Sequence, residues 1–460
     1  MGKDEMTKKI IKVKRLPKDP GPAAWNQVLT QERGYPELQN SIQVDWLIIG
    51  GGFTGLAAAR RLAQLVGDER IALLEAAQLA NGPAGRNSGF MIDLPHELNS
   101  ETYAGAHEHD LQQIRLNRAA IAFAAEMAQE YAMDTQVFDP CGKTTAAGSD
   151  KGIAHIESYR KHLDALGEPY EMRGPAEMKD WTGSDFYRMG LYTSGAVMIQ
   201  PAAFIRQAAK GLSTANGINS QVDIYENSPA IEITQGDVHV VKTPKGQVRA
   251  KNIILAVNGH IQSFGFYPRQ LLHVFTYASM TRPLSQDEIK RLGGVGDWGI
   301  LPADPMGTTV RRFSNYMGSG DRIVIRNHAT LNQSIEANTG NMKRAARLQD
   351  QSFANRFPML AGVEIEHRWG GRLCLSWNSM PAFGEVETRI WSACCQNGLG
   401  TVKGTLAGMM AAEQAVLGQS ELLSLFLNHQ QPKQLPPEPF LSLGANMTMR
   451  WKEWQAGIEL

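Results

Sequence analysis

Runs of apolar residues near the start of the chain predict a strand, a turn and a helix in that order. The continuous run "VDWLIIG", Val44 to Gly50, predicts a short buried strand. Beyond the glycines that follow, apolar residues recur at helical spacing, at Leu56, Ala59, Ala63 and Val66. The arginines between them are predicted to face outward. A glycine turn therefore lies between a buried strand and an amphipathic helix.

The turn itself, "GGGFTG", carries a G-x-G-x-x-G pattern at Gly50, Gly52 and Gly55. In this setting the first glycine permits the tight turn, the second lets phosphates approach the backbone, and the third lets the helix pack close to the strand. Backbone N–H groups and the positive end of the helix then point at a pyrophosphate. The context is what makes the pattern informative, because a turn that binds nothing would not need all of these parts.

A second predicted strand, "RIALLE", ends at Glu75, 25 residues after Gly50. That spacing is close to the spacing of the acid that binds an adenosine ribose, and a carboxylate there would repel a 2′-phosphate. These residues predict binding of FAD or NAD, and not of NADP.

A second polar glycine loop, "GPAGRNSGF", follows at Gly82 to Phe90, where a nicotinamide-binding half would usually continue into another helix and strand. Arg86, Asn87 and Ser88 can donate hydrogen bonds to a pyrophosphate and a flavin edge, and Gly89 lets the backbone approach a flat ring. An ordinary surface loop is the alternative interpretation.

Composition narrows the class of ligand. A chain of 460 residues is too long for one core of the usual size, so we expect two closely connected domains. Its 46 basic and 46 acidic residues give a net charge of zero, which favours small molecules over nucleic acid or an anionic membrane.

Cysteine usage and the N-terminus bear on location. Cys141, Cys374, Cys394 and Cys395 form neither a disulfide framework nor a zinc spacing, so we expect a reducing cytoplasm and no metal site. The charged N-terminus lacks an apolar core, and no run approaches the roughly twenty apolar residues of a transmembrane segment.

Several segments together resemble, in order and spacing, the D-amino-acid oxidase (DAO) superfamily of flavoproteins. They are the fingerprint with Glu75, "GRNSG", "RAKNIILAVNGH" (249–260), "EHRWGGRLCLSWNSMPAFG" (366–384) and "QNGLGTVKGTLAGMMAAE" (396–413). Within the superfamily the chain is most similar to the branch that contains γ-glutamylputrescine oxidase, and "GRNSGFMIDLPH" resembles taurine dehydrogenase large subunits.

The resemblance implies an α/β fold, α+β overall: a Rossmann-like FAD-binding domain with an interleaved substrate domain built on a mixed or antiparallel β-sheet. The FAD-binding domain would comprise 41–100, 190–262 and 366–425, the substrate domain 101–189 and 263–365, with an N-terminal arm at 1–40 and a C-terminal tail at 426–460. Local patterns agree, since a helix begins near Leu111 and strand-like stretches occupy 267–335.

The resemblance also implies a set of FAD-binding residues. Asn258 and Gly259 would lie beside the dinucleotide, the backbone at Ala230 would meet the adenine, and N–H groups at 399–402 would point at the pyrimidine edge of the flavin. The full predicted set is Gly50, Gly52, Phe53, Thr54, Gly55, Glu75, Ala76, Arg86, Asn87, Ser88, Gly89, Ala230, Asn258, Gly259, Trp369, Gly371, Gly398, Leu399, Gly400, Thr401 and Val402. We expect noncovalent FAD, with a thioether at Cys374 as the alternative.

Family members of this kind transfer a hydride from the carbon beside an amine nitrogen to flavin N5, and the resulting imine hydrolyses to an aldehyde or keto acid plus amine or ammonia. Such chemistry needs orientation and little water more than an acid-base group. We therefore assign no catalytic side chain and expect FAD to be the reactive group. γ-Glutamylputrescine, taurine, an N-methyl amino acid and a D-amino acid all stay open as substrates.

Substrate contacts are predicted from the stretch "DRIVIRNHA". Strand alternation places Arg322, Val324, Arg326 and His328 on one face. If that face meets the flavin, Arg326 and His328 bind a carboxylate or sulfonate; if it faces outward, they are only solvated. Two further candidates are Trp377, for a pocket wall, and His96.

The same stretch lacks the lysine that oxidase members often place over the flavin. Oxygen and an electron-accepting partner or quinone therefore both stay open as acceptors. A second hypothesis is a flavin-binding subunit whose FAD is structural, or which is active only with a partner chain. A nicotinamide dehydrogenase is opposed by the lack of a recognisable second nicotinamide half.

Overall fold

A computed structural model describes residues 9–30, 33–95, 107–214, 222–427 and 430–460. The described strands are, in chain order, β1 (Ile10–Lys12), β2 (Ser41–Ile49), β3 (Ile71–Leu74), β4 (Phe90–Met91), β5 (Phe138–Asp139), β6 (Lys143–Ala147), β7 (Glu171–Arg173), β8 (Met189–Thr193), β9 (Val197–Ile199), β10 (Val222–Tyr225), β11 (Glu232–Thr234), β12 (His239–Lys242), β13 (Gln247–Leu255), β14 (Leu271–Thr281), β15 (Trp298–Pro302), β16 (Thr309–Phe313), β17 (Arg322–Leu331), β18 (Ile365–Ser376), β19 (Ala382–Glu387) and β20 (Ile390–Cys394).

The described helices are α1 (Ala24–Gln27), α2 (Phe53–Leu65), α3 (His107–Glu130), α4 (Asp150–Leu166), α5 (Pro175–Thr182), α6 (Pro201–Ser213), α7 (Gln286–Leu292), α8 (Thr339–Arg356), α9 (Val402–Leu417), α10 (Glu421–Phe426) and α11 (Phe440–Ala456). Short 3₁₀ turns lie at Pro83–Gly85, Asn258–Phe264, Tyr316–Gly318, Pro358–Leu360 and Gly457–Glu459.

A nine-stranded sheet forms the nucleotide half. Its parallel centre is β10-β3-β2-β13-β20, and an antiparallel extension β13-β12-β11-β1 adds one edge. The central strands are apolar on both faces, as expected for a parallel sheet covered on both sides. The predicted strand at 44–50 is thus the centre of the sheet.

Helices α2 and α9 pack closely together over this sheet. A Cβ added at Gly408 would lie 2.1 Å from the carbonyl oxygen of Thr54, so only glycine allows the two backbones to approach this far. The close contact brings the glycine turn before α2 and the glycine turn before α9 to the same end of the sheet. Two motifs about 350 residues apart in the chain therefore meet at one site.

An eight-stranded sheet, in the order β18-β14-β17-β16-β15-β6-β8-β7, forms the second half. All its neighbours are antiparallel except β15 and β6, so it is the mixed, mainly antiparallel sheet expected from the sequence. The stretches predicted as strands are present as β14 and β17, and the helix predicted near Leu111 is α3. The α/β fold with two interleaved sheets is thereby confirmed.

Strand pairing refines the segment boundaries. β8 and β18 both pair within the eight-stranded sheet. The predicted FAD-binding segments 190–262 and 366–425 had instead included most residues of these two strands. The N-terminal arm contributes β1 to the nine-stranded sheet, and the C-terminal tail contains α11, which packs on β17. Among the described helices, none is both long enough and apolar enough to cross a membrane.

Candidate cofactor and active site

The glycine turn after β2 is specified by backbone contacts. Gly50 has a φ of 112°, and a Cβ there would lie 2.5 Å from the carbonyl oxygen of Ala256 on the neighbouring chain segment. A Cβ on Gly55 would lie 1.7 Å from the carbonyl oxygen of Gly50. Gly52 caps α2 in an extended conformation, so the helix N-terminus opens directly onto the turn. Gly50 and Gly55 therefore tolerate a side chain only if the backbone moves.

Glu75, at the end of β3, is held against this turn. Its Oε2 accepts a hydrogen bond of 2.8 Å from the N–H of Gly51, and its Oε1 accepts one of 3.1 Å from the N–H of Ala77. Burial raises the pKa of Glu75, and the nearby carboxylate of Glu226 adds to the effect. The predicted ribose acid thus also braces the glycine turn.

Arg86, in the second glycine loop, has its guanidinium bonded to main-chain carbonyls. The acceptors are Asn81 at 2.6 Å, Gly21 at 2.9 Å, Pro20 at 3.0 Å and Gly370 at 3.1 Å. Burial lowers the pKa of Arg86. The side chain predicted to donate to a pyrophosphate therefore joins three segments of the chain instead, one of them the N-terminal arm.

The rest of this loop is shaped in the same way. Asn87 donates to the carbonyl of Ala84 at 2.6 Å and accepts from the N–H of Gly89 at 2.8 Å. The carbonyl of Ser88 accepts a bond of 3.1 Å from Arg311. Gly89 has a φ of 77°, and a Cβ there would lie 2.2 Å from Nη1 of Arg311. Hydrogen bonds within the loop and from Arg311 thus fix its shape beside the cavity.

The turn before α9 forms the opposite wall. Gly398 has a φ of 84°, and both Gly398 and Gly400 line the cavity. Thr401 donates from its hydroxyl to the carbonyl of Phe90 at 2.6 Å, which ties this turn to the second glycine loop. Leu399 packs against the apolar cluster that contains Phe90. The N-terminus of α9 therefore lies at the cavity, where it favours negative charge.

A cavity of about 520 Å³ connects these features. Of the predicted cofactor residues, those that line it are Gly50, Gly52, Phe53, Thr54, Glu75, Ala76, Arg86, Asn87, Ala230, Asn258, Gly259, Gly398 and Gly400. The others lie behind this lining: Gly55, Ser88, Gly89, Trp369, Gly371, Leu399, Thr401 and Val402. Trp369, for example, is buried and donates from its indole N–H to the carbonyl of Arg86 at 3.0 Å.

One cluster at the cavity, in which Asp19 pairs with Arg372, was not predicted from the sequence. The two carboxylate oxygens of Asp19 accept from the guanidinium at 2.9 and 3.0 Å, and both side chains are buried. Arg372 also contacts Nε2 of His260. Asp19 belongs to the N-terminal arm, and no local pattern relates it to an arginine more than 350 residues away. Only the fold brings the arm to the cavity.

Two histidines of this cluster are held neutral. Burial, with the positive charge of Arg372 as the next cause, lowers the pKa of His260 to about 3 and that of His273 to about 4. His273 also has its Nε2 2.7 Å from Oε1 of Gln262. The two histidines therefore add no positive charge to this part of the cavity near neutral pH, where Arg372 is paired with Asp19 and Arg15 also lines the wall.

The cavity fits the FAD expected from the sequence. Gly50, Gly52 and Glu75 all line it, so main chain at the N-terminus of α2 and a carboxylate face the same space. Asn258, with a φ of 47°, has a buried Oδ1 without a hydrogen-bond partner in the described part of the chain. A buried acceptor of this kind normally has a donor, and a bound dinucleotide with hydroxyl groups can supply one.

Arg326, a predicted substrate residue, lies on the face of β17 that is turned toward the nucleotide half. It is opposite Ala278 in the sheet register, and Ala278 is opposite Trp369, whose indole bonds to the second glycine loop. The side chain of Arg326 is half-buried and, among the described residues, has neither a hydrogen bond nor an ion pair; burial lowers its pKa. An arginine in this state is suited to bind an anion.

His328 departs from the predicted alternation. Its φ is 57°, and the pairing of β14 with β17 shifts register between Thr276 and Tyr277. The imidazole stacks on Tyr277 at 5.6 Å between ring centres, and its Nδ1 contacts Glu453 of α11. The expectation that Arg326 and His328 share a face is therefore wrong, because the bulge turns His328 toward the C-terminal helix.

Three candidates remain, namely Trp377, His96 and Cys374, and only Cys374 lines the cavity among the described residues. Trp377 is 63% exposed just beyond β18, and His96 lies outside the described residues. Cys374 lines the cavity, but contact with the thiol of Cys395, together with burial, raises its pKa well above the usual value. The thiol of Cys374 is therefore protonated near neutral pH, which makes it a poor nucleophile.

Comparison with known proteins relates this geometry to a family. A family model described as FAD dependent oxidoreductase (DAO) matches residues 45–414. Among curated proteins the chain is 26% identical to a probable oxidoreductase, OrdL, of Haemophilus influenzae, over 86% of this chain and 88% of that protein. It is 25% identical to the gamma-glutamylputrescine oxidoreductase of Escherichia coli, over 88% of this chain and 90% of that protein.

Among solved structures, the chain is similar to glycine oxidase from Geobacillus kaustophilus, with a TM-score of 0.66 and 16% identity over 86% of this chain and all of that one. L-proline dehydrogenase from P. horikoshii has a TM-score of 0.60 and 16% identity, over 85% of this chain and 97% of that one. At these identities the likeness shows the fold alone.

Proposed function

The chain belongs to the DAO family of FAD-dependent oxidoreductases, and from that premise we propose that it oxidises a small amine or amino acid bearing an acidic group. The reaction class follows from the family and from curated relatives such as the gamma-glutamylputrescine oxidoreductase. The requirement for an acidic group is our inference from the site.

Arg326 is the observation that carries the proposal. A half-buried guanidinium without a partner among the described side chains has lost part of its hydration and has gained no counter-ion. A carboxylate or sulfonate on the substrate would supply the missing counter-ion and form two parallel hydrogen bonds with the guanidinium. Two other arginines of the same sheet already have partners within the protein. Arg322 forms an ion pair with Glu366, and Arg311 donates to main-chain carbonyls.

The remaining groups orient the substrate and exclude water. When bound, FAD supplies the hydride acceptor for the carbon beside the amine nitrogen. Phe90, Met198, Leu301 and Leu399 form an apolar cluster where the second glycine loop meets the turn before α9. This cluster keeps water from the reacting carbon and favours the neutral amine. The N-terminus of α9 would stabilise negative charge on a bound group at the cavity by about 0.3–2 kcal/mol.

Three further parts of the proposal concern cofactor attachment, acceptor and location. We expect noncovalent FAD, because the thiol of Cys374 is protonated. We expect an electron-accepting partner or quinone, because the stretch 322–329 of β17 contains no lysine. All four cysteines are free, which supports the expected cytoplasmic location.

An anaerobic absorbance titration tests the proposal. The FAD-loaded protein is titrated with taurine, γ-glutamylputrescine, an N-methyl amino acid and a D-amino acid, each paired with an analogue lacking the acidic group. We expect one acidic amine to bleach the flavin at much lower concentration than its uncharged analogue. Admission of air then separates an oxidase, which regains its colour quickly, from a dehydrogenase, which regains it slowly.

Arg326→Met sharpens the test. Loss of a charge-assisted pair predicts a rise of about tenfold to 150-fold in the dissociation constant of the acidic amine, with little change for the uncharged analogue. Arg347→Met, at an exposed arginine of α8, is the matched control and leaves both constants unchanged. Equal weakening of both amines would contradict the assigned role of Arg326, and a flavin that no amine bleaches would favour structural FAD.

A further inference from the structure

The outer face of the C-terminal helix α11 carries large apolar side chains in water. The exposed fractions are 70% for Phe440, 58% for Leu443, 71% for Met447, 53% for Trp451, 77% for Trp454 and 53% for Ile458, which lies in the turn after the helix. Their spacings of three and four residues place them in one stripe along the helix. Exposed large apolar residues elsewhere are dispersed through the sequence, so this stripe is a distinct patch.

The polarity of α11 is the reverse of that of an ordinary surface helix. Its buried residues are Leu441, Glu453 and Ala456, so the face against the protein includes a carboxylate while the face toward water is mostly apolar. A surface helix normally buries its apolar side. The exposed stripe therefore costs free energy in water, and a surface that covers it would recover that cost.

The stripe is held rigidly because the inner face is anchored by ionic contacts. Glu453 contacts His328 and accepts from Arg344 at 3.1 Å. In the turn after the helix, Glu459 accepts from the N–H groups of Gly148 and Ser149 at 2.9 and 2.8 Å. These contacts fix α11 on the eight-stranded sheet, so the apolar face is presented without any rearrangement.

Charge distinguishes between the surfaces that might cover the stripe. Arg450 is exposed beside the stripe, and Lys452 is half-exposed on the same helix. The two acidic residues of this segment, Glu453 and Glu459, are buried and paired with protein groups. Glu438 is exposed before the helix and bonds to Ser442, at the opposite end from the tryptophans. The exposed charge along the tryptophan half of α11 is therefore cationic.

We propose that the outer face of α11 binds the surface of an anionic lipid bilayer. The helix would lie in the interfacial plane with its apolar stripe among the acyl chains and Arg450 at the headgroups. The indole N–H groups of Trp451 and Trp454 find water and headgroup oxygens at that depth. The contact is local, so a net charge of zero for the chain gives no sign of it.

A second copy of the chain fits the same face less well. A contact between two α11 stripes would bring arginines of like charge together, with no exposed carboxylate from either helix near the tryptophans to pair with them. It would also bury both indole N–H groups against a stripe that has no acceptor side chain. A lipid surface avoids both costs.

Vesicle co-sedimentation of the full-length, FAD-loaded protein tests the proposal. The vesicles contain phosphatidylcholine alone or phosphatidylcholine mixed with phosphatidylglycerol. We expect binding to the mixed vesicles that falls at high salt. The combined substitutions Met447→Ser, Trp451→Ser and Trp454→Ser should lower the partition coefficient at least about tenfold. Arg450→Gln should lower it about fivefold on mixed vesicles and hardly at all on neutral ones.

The matched control is Leu111→Ser with Val295→Ser, which removes two other exposed apolar side chains, 41% and 44% exposed. This control should bind like the unchanged protein, and thermal melting with FAD content shows that every variant is folded. The proposal is overturned by absence of binding, by equal binding to both vesicles, or by binding that survives the triple serine variant. It is also overturned if the protein stays off vesicles and light scattering shows a dimer that the triple variant dissociates.

Discussion

Two regions that contain residues predicted from the sequence behave differently. The floor, the glycine turn of residues 50–55 with Glu75, lines the cavity, whereas the roof strand β17 has one face turned toward the nucleotide half but contributes no described residue to the cavity lining. In the floor the predicted residues lie together, and those outside the lining support it directly. In the roof the predicted pair separates, since Arg326 is turned toward the nucleotide half and His328 toward α11. One prediction concerned the shape of the main chain, and the other concerned the direction of side chains.

The floor depends on main chain, whereas the roof depends on the direction of side chains. Main-chain turns are set by which residues permit a given φ or close approach, and a short glycine pattern records that directly. The direction of a strand side chain depends on uninterrupted alternation, and one bulge reverses every later residue. The predicted direction is therefore wrong for His328, although Arg326, two positions earlier, lies before the bulge.

Gly55→Ala is the strongest test of the floor. The new Cβ would lie 1.7 Å from the carbonyl oxygen of Gly50, so the turn must move and the N–H groups of α2 lose their direction. We expect protein that is isolated largely without flavin, with at least about a hundredfold weaker FAD binding by fluorescence titration. Gly444→Ala, in α11 with no atom near the new Cβ, should leave FAD binding unchanged. Normal FAD affinity in Gly55→Ala would contradict the described turn.

A pH titration tests whether His273, on β14 at the cavity, is held neutral in the fold. His273 lines the cavity with a pKa lowered from 6.5 to about 4. Above pH 6.5 it is neutral in both states and its full contribution to stability is present. Below pH 6.5 the unfolded chain binds a proton that the native chain does not, so stability falls by about 1.4 kcal/mol per pH unit until about pH 4.

His273→Asn should therefore flatten the urea-measured stability curve between pH 6.5 and 4, whatever its effect at neutral pH. His155→Asn, the same substitution at a partly exposed histidine of α4, is measured in parallel to separate the general effect of replacing a histidine from the effect at the cavity. An unchanged slope in His273→Asn would show that His273 is not held neutral in the fold.

His328→Asn tests the reversed face of the roof. The substitution removes one of the two described partners of the buried carboxylate of Glu453, the other being Arg344, so we expect a loss of about 1–3 kcal/mol in the free energy of unfolding. Amine binding should change less than about threefold, because the side chain faces α11. Weakening of the acidic amine comparable with that of Arg326→Met would instead place His328 at the substrate, and the described bulge would be wrong.

Trp377→Ser should have the smallest effect. The side chain is 63% exposed beyond the end of β18, and surface substitutions of this kind change stability by less than about 0.5 kcal/mol. Flavin reduction by the amine should keep its rate and its dissociation constant. A clear loss of amine binding would show that this segment closes over the substrate.

The sequence by itself determined the nucleotide half. The buried strand, the glycine turn, the following helix and Glu75 are contiguous, so their geometry follows from local propensity and from sterics that only glycine relieves. The second glycine loop was located correctly, but the partners of Arg86 were not foreseen, since its guanidinium bonds to carbonyls from the N-terminal arm and from β18. The sequence predicted the shape of the backbone, but it did not predict which distant residues would form hydrogen bonds with Arg86.

Tertiary structure alone decided the rest. Asp19 meets Arg372 because the arm crosses the cavity, His328 meets Glu453 because a bulge reverses the strand, and α11 shows its apolar side because buried carboxylates anchor the other. Each of these contacts joins residues more than a hundred positions apart, and each depends on the direction of a side chain after packing. A linear pattern records the periodicity of one element, but it does not record which element will face it.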